Sequence, residues 1–135
     1  MTFGKCEEVV KDRRFTLKER QAKITFVNGS KAAIRKVQID NCVITEGLRC
    51  DWLLIDPAQS EYYVELKGSN MRHAIKQLKA TMARTGLAAC PKRYCFIIGT
   101  RCTLSRTEIR IETRYFMRDY NSTLLIKSSS YEHEI

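Results

Sequence analysis

The run Cys50-Asp51-Trp52-Leu53-Leu54-Ile55-Asp56-Pro57, followed by Tyr62-Tyr63-Val64-Glu65-Leu66-Lys67-Gly68, decides how the rest of the chain is read. Cys50 to Ile55 is largely apolar and predicts a strand. Asp56-Pro57 stops it, because proline cannot donate to a ladder. Tyr62 to Lys67 predicts a second strand, ended by Gly68. With Pro57 to Gln59 as the loop, antiparallel register pairs Asp56 with Ser60 and therefore Asp51 with Glu65. Directly opposed side chains stand on one face with Cβ atoms about 5 Å apart, and Lys67, two residues beyond Glu65, shares that face. Opposed carboxylates destabilise a hairpin. A divalent cation turns that repulsion into attraction, and hard carboxylate oxygens suit Mg²⁺ or Mn²⁺. Asp56, about 16 Å from Glu65 along the strand, is expected to form the turn before Pro57 rather than to share a metal.

On the C-terminal side, Ser69 or Asn70 is placed to cap a helix whose apolar positions are Ala74, Ile75, Leu78 and Met82 and which Gly86 ends. Tyr94 to Ile98, between Pro91 and Gly99, predicts a buried strand. From Thr107 to Arg118, apolar Ile109, Ile111, Tyr115 and Met117 alternate with charged Arg106, Glu108, Arg110, Glu112, Arg114 and Arg118, the period of a half-exposed strand. Leu124 to Ile126 predicts a last short strand, and Ser128 to Ile135 a frayed tail. On the N-terminal side, Lys5 to Lys18 reads as a short helix and Ile24 to Val27 as a strand. Asn28-Gly29, a type I′ hairpin signal, turns the chain into a strand over Ala33 to Ile39. Asp40-Asn41 and Gly47 mark breaks. The order predicts a single domain over residues 1–135, of the α/β (α+β) class, with a mixed β-sheet core flanked by helices.

A chain of 135 residues buries roughly two thirds of its unfolded surface, enough for one core. Hydrophobic residues at 44% and charged residues at 29% exclude general disorder. No apolar run approaches a membrane span. Met1 to Gly4 leads into charged residues rather than an apolar signal region, so the chain is expected in the cytoplasm. There the six cysteines Cys6, Cys42, Cys50, Cys90, Cys95 and Cys102 are expected as buried or half-buried thiols. No C-x2-C spacing supports zinc. The net charge of +9 points to a polyanionic partner, nucleic acid before an anionic membrane surface.

An acid opening one strand, Asp51, then Glu65-x-Lys67 on the next and a polar Gln77 on the following helix resemble the core motif of the PD-(D/E)XK nuclease superfamily. The resemblance covers roughly Val37 to Ile98 and is to small stand-alone members; Cys50 stands where the motif has proline. It implies a restriction-endonuclease-like fold and a Mg²⁺-dependent nuclease, a hydrolase of phosphodiester bonds for which Mn²⁺ may substitute. DNA stands ahead of RNA as substrate, with structure-selective cutting like that of Holliday-junction resolvases of this fold. In the implied mechanism Asp51, Glu65 and the Leu66 carbonyl hold the metal, which lowers the pKa of a bound water. Lys67 stabilises developing charge, and Gln77 binds a water or positions Lys67. Some members add an acid from an N-terminal helix; Glu7, Glu8 and Glu19 are all available for that role. A homodimer would present two sites to two strands.

Basic residues surround the motif. Arg72, His73 and Lys76 flank Gln77 near a helix N-terminus that favours phosphate. Lys92 and Arg93 open the next strand, and Arg114 and Arg118 lie past the last glutamate of the alternating stripe. Tyr62, Tyr63 and Tyr94 are available for base stacking, although strand aromatics are usually core. The alternative from another class is a non-catalytic nucleic-acid-binding or protein-interaction module on the same fold. A thiol-rich zinc protein is the third reading.

Overall fold

In a computed structural model, described over residues 2–86 and 90–135, the hairpin around Asp51 and Glu65 sits in the middle of a mixed six-stranded sheet. Strands β5 (Trp52–Ile55) and β6 (Glu61–Lys67) pair antiparallel with Trp52 opposite Val64 and Ile55 opposite Glu61. The ladder ends at Trp52 and Val64, and Asp51 lies one residue before β5. The Asp51 N–H donates to the Val64 carbonyl, and the Asp56 N–H donates to the Ser60 carbonyl. The sheet order is β1-β4-β5-β6-β7-β8, with β1 (Glu7–Val10), β4 (Ile34–Gln38), β7 (Arg93–Gly99) and β8 (Thr123–Ser128). The first four strands are antiparallel neighbours; β6, β7 and β8 run parallel. Parallel neighbours need long crossovers, which α1 (Met71–Thr85) and α2 (Arg106–Tyr120) supply. A second, three-stranded sheet has the order β2 (Arg14–Glu19), β3 (Ala22–Val27), β9 (Ser130–Glu134).

Side-chain alternation along the large sheet divides its apolar residues between two cores. Leu53, Ile55, Tyr63, Cys95 and Ile97 face the helices and meet Ala74, Ile75, Leu78 and Met82 of α1 and Phe116 of α2. Leu54, Tyr62, Val64, Phe96 and Ile98 face the small sheet and meet Leu17, Ile24 and Phe26. The result is three layers: helices, large sheet, small sheet. β6 is covered on both sides, so Glu61 through Leu66 are all buried, two glutamates included.

Several expectations are corrected. Thr107 to Arg118 is not a strand but most of α2. The Ser105 hydroxyl accepts from the Glu108 N–H while the Glu108 side chain accepts from the Ser105 N–H, a capping box that nucleates the helix. Its sheltered positions are Glu108, Ile109, Glu112, Phe116 and Tyr120, a helical spacing that cuts across the period-two alternation. Lys5 to Lys18 holds no α-helix. A 3₁₀ turn (Gly4–Cys6) leads into β1, and β2 follows. Asn28-Gly29 does not make a hairpin, because β3 and β4 belong to different sheets. The Asn28 side chain instead bonds both the N–H and the C=O of Ala32, closing the loop that carries the chain between layers. The two-residue hairpin turn is Arg20-Gln21, with Arg20 at φ 54°. The tail is no frayed end. Ser129, at φ 59°, kinks the chain from β8 into β9, which pairs parallel with β3. Tyr131 and His133 then pack on Phe96. The six-thiol expectation also fails: Cys6 and Cys42 form a disulfide that ties the start of edge strand β1 to the loop after β4. Cys50, Cys90 and Cys95 are buried free thiols, and Cys102 is exposed. Among the described residues no helix is long and apolar enough to cross a membrane.

Phe116 is the one fully buried residue of α2. Phe116→Ala is expected to lower unfolding stability by about 3–5 kcal/mol, and Ser105→Ala by about 1 kcal/mol through loss of the cap. Urea denaturation followed by circular dichroism checks both. A strand over these residues would leave Ser105→Ala neutral.

Candidate functional site

Glu65 is only 2% exposed. It shares the helix-facing side of β6 with Tyr63 and Lys67, and Asp51 lines the same cleft, near enough for its charge to act on Glu65. Asp51 lies just outside β5, where its Oδ2 accepts the Leu66 N–H at 2.8 Å. Lys67 Nζ donates to Gln77 Oε1 at 2.8 Å and lies 3.5 Å from Glu65 Oε2. Gln77 Nε2 in turn donates to the Arg49 carbonyl at 2.8 Å. The position of Gln77 follows from its helix. The Asn70 side chain caps α1 by accepting the His73 N–H, and buried Ala74 and Leu78 fix which side of α1 faces the sheet. One chain of polar contacts thus joins the hairpin, α1 and the β4–β5 loop. These groups border an open cleft of about 550 Å³. Its other wall is the tip of the β2–β3 hairpin, Glu19 to Ala22, and Gly68 and Thr100 also line it.

The electrostatics are strained. Burial pushes the Glu65 carboxyl up from 4.5 to about 8, with the Asp51 charge adding to the shift and Lys67 opposing it. Burial likewise raises Asp51 from 3.8 to about 6; the Leu66 N–H opposes this, while Glu19 and Asp40 add to it. Glu65 Oε1 has no hydrogen-bond partner among the described residues. A buried acceptor without a partner is costly and uncommon. A cation between Glu65 and Asp51 would satisfy that oxygen and reverse the repulsion, so the donor set fits a hard divalent ion. Among the described residues no three His, Cys, Asp or Glu side chains converge on one metal position. A two-carboxylate set suits Mg²⁺, which takes one or two carboxylates and fills its shell with water and phosphate oxygens.

Of the three N-terminal acids, Glu19 reaches the cleft. Glu7 is held by Arg35 at 2.8 Å and Glu8 lies 3.4 Å from Lys36. The basic residues scatter. His73 borders a shallow recess with Asp40, Arg49 and Gln77. Arg72 sits on the same helix but pairs with Glu108, and Lys76 is exposed. Lys92 lies just before β7 and Arg93 opens it, six residues from Gly99, the partner of Lys67, or about 20 Å along the sheet. Arg93 pairs with buried Glu61 at 2.7 Å and its side chain is only 10% exposed, so it serves the core rather than a phosphate. Arg114 is exposed on α2; Arg118 pairs with Asp119 and lies over the Tyr115 ring. Tyr62 and Tyr63 are buried, and Tyr94 stacks on Tyr62. Asp56 forms the expected turn, accepting from the Ser60 N–H and the Tyr62 hydroxyl. The sequence reading passed over Lys18, Arg20 and Arg49, which border the cleft or its recesses. Lys18 stands on β2, Arg20 in the β2–β3 turn and Arg49 in the β4–β5 loop, and only the tertiary fold carries these segments to the site.

A carboxyl raised from 4.5 to about 8 on folding keeps its proton in the native state. The folded protein then binds more protons than the unfolded chain between those values, so stability falls as pH rises through that window. Metal-free protein is expected to lose on the order of a few kcal/mol between pH 5 and pH 8. Glu65→Gln, which mimics the protonated acid, is expected to remove most of that slope. Urea unfolding across pH measures it, and a wild-type stability that is flat or rising over this range contradicts the assignment.

Comparisons of the chain with family models, with curated proteins and with solved structures give no match, so the chemistry of the site is read from its own residues.

Proposed function

We propose that this chain is a metal-dependent nuclease, a restriction-endonuclease-like hydrolase of phosphodiester bonds with DNA ahead of RNA as substrate. The observation that carries this reading is Glu65: a buried carboxyl with an oxygen that has no partner among the described residues, near Asp51 and beside the Lys67 ammonium at an open cleft. A purely structural hairpin has no reason to bury such a pair. The net charge of +9 supports a polyanionic substrate.

Asp51 and Glu65, with the Leu66 carbonyl, would hold Mg²⁺. When bound, the ion supplies Lewis acidity and a water of lowered pKa. Lys67 places a positive charge where the phosphate oxygens gain negative charge during hydrolysis. Gln77 is a positioning residue: it grips Lys67 with its carbonyl and the Arg49 backbone with its amide. The lined cleft gives the phosphate a path to groups that are otherwise buried.

The test is cleavage of plasmid, linear duplex, single strand, four-way junction and RNA with Mg²⁺, Mn²⁺ or EDTA. Cleavage is expected only with metal, and Lys67→Ala and Glu65→Gln are expected to reduce it by about 10²-fold or more. Salt-sensitive binding with no cleavage under any metal would replace this reading with the non-catalytic binding module.

A further inference from the structure

The small sheet shows a second charge conflict, of opposite sign. Lys18 of β2 and Lys23 of β3 are directly opposed in the antiparallel register. Both are exposed, and among the described residues neither side chain has an ion-pair or hydrogen-bond partner. Like charges directly opposite destabilise a strand pair. The third position in that row is Ser130 of β9, which brings no acid. Farther from the hairpin tip the face is neutralised. Thr16 and Thr25 bond each other, and Arg14 pairs with Glu132 at 2.8 Å. The uncompensated positive charge therefore gathers at the end of the hairpin nearest the cleft. Lys18 borders a recess that it shares with Asp51, and Arg20 at the tip lines the cleft itself. Arg20 holds φ 54°, a conformation that glycine or asparagine adopts more easily.

We infer that the solvent face of the β2–β3 hairpin is the nucleic-acid track leading to the cleft, with Lys18 and Lys23 binding the phosphodiester backbone and Arg20 guiding it to Asp51 and Glu65. The inference rests on the nuclease reading for its destination, and the track itself follows from the opposed lysines and the place of Lys18 and Arg20 beside the cleft. It differs from a phosphate interface on α2, where Glu108, Glu112 and Asp119 already engage Arg72, Lys79 and Arg118. Unpaired basic charge continuous with a cleft matches a polyanionic strand.

The experiment measures binding of a labelled oligonucleotide, single-stranded and duplex, to Glu65→Gln protein by fluorescence anisotropy over a range of salt concentrations. Adding Lys18→Ala/Lys23→Ala is expected to make the slope of log K against log salt shallower by about 1.4 for single strand or about 1.8 for duplex, two phosphate contacts in each case. Affinity is expected to fall about tenfold or more at moderate salt. The melting temperature should hold or rise, because the opposed charges are removed. Arg20→Gly is expected to raise the melting temperature while weakening binding, opposite movements that a structural role does not produce. An unchanged slope in the lysine variant overturns the track, and a slope lost instead in Arg110→Ala/Arg114→Ala overturns it in favour of α2. If wild-type protein cleaves nothing yet the lysine variant loses the slope, the track stands and the hydrolytic reading falls. If it cleaves with metal while the slope ignores the hairpin, the reverse holds.

Discussion

The structure is organised around the burial of one carboxylate. Glu65 lies on a strand covered on both faces, and burial, with the Asp51 charge nearby, pushes its carboxyl up to about 8. A domain has only on the order of 5–15 kcal/mol of net stability, so a conflict of this size needs support from its surroundings. The surroundings supply part of it. Lys67 leans toward Glu65, Gln77 holds Lys67, and the β4–β5 loop holds Gln77 through the Arg49 carbonyl. Glu65 Oε1, which has no hydrogen-bond partner among the described residues, belongs to a side chain that lines the cleft.

The three-layer arrangement makes such a site possible. The helices cover one face of the large sheet and the small sheet covers the other, so the middle strands are dry. At the end of β6 the layers part, and the cleft forms between the hairpin tip of the small sheet and α1 of the helical layer. Each layer contributes a different chemical element. The large sheet brings the carboxylates and lysine, α1 brings the amide that orients the lysine, and the small sheet brings exposed positive charge. The disulfide between Cys6 and Cys42 fastens the edge strand to the loop that contains Asp40, and Asp40 pairs with Arg49. A covalent link thus steadies the wall against which Gln77 is braced.

The readings that held and those that failed separate by range. The β5–β6 register, the cap of α1 and the buried run of β7 depend on neighbours a few residues apart, and all were legible. The α2 error came from trusting alternation over end signals. Ser105-x-x-Glu108 is a capping box written in the sequence, and it outweighs a period of two that no sheet partner enforces. Asn28-Gly29 carried a real turn preference, but a turn joins two strands only if both lie in one sheet, and β3 and β4 do not.

Residues 50–67, read alone, brought two acids and a lysine to one end of a hairpin, because pairing and alternation in a tight hairpin restrict where those side chains stand; the ladder itself ends at Trp52 and Val64. Only the tertiary structure decided that Glu19, among three acids, stands near them, that Arg93 is spent on Glu61, and that Lys18 and Arg20 come to the cleft. Those outcomes depend on which sheet each strand joins. Strand partnership between distant segments is settled by packing two faces at once, a condition that no local pattern in the chain encodes.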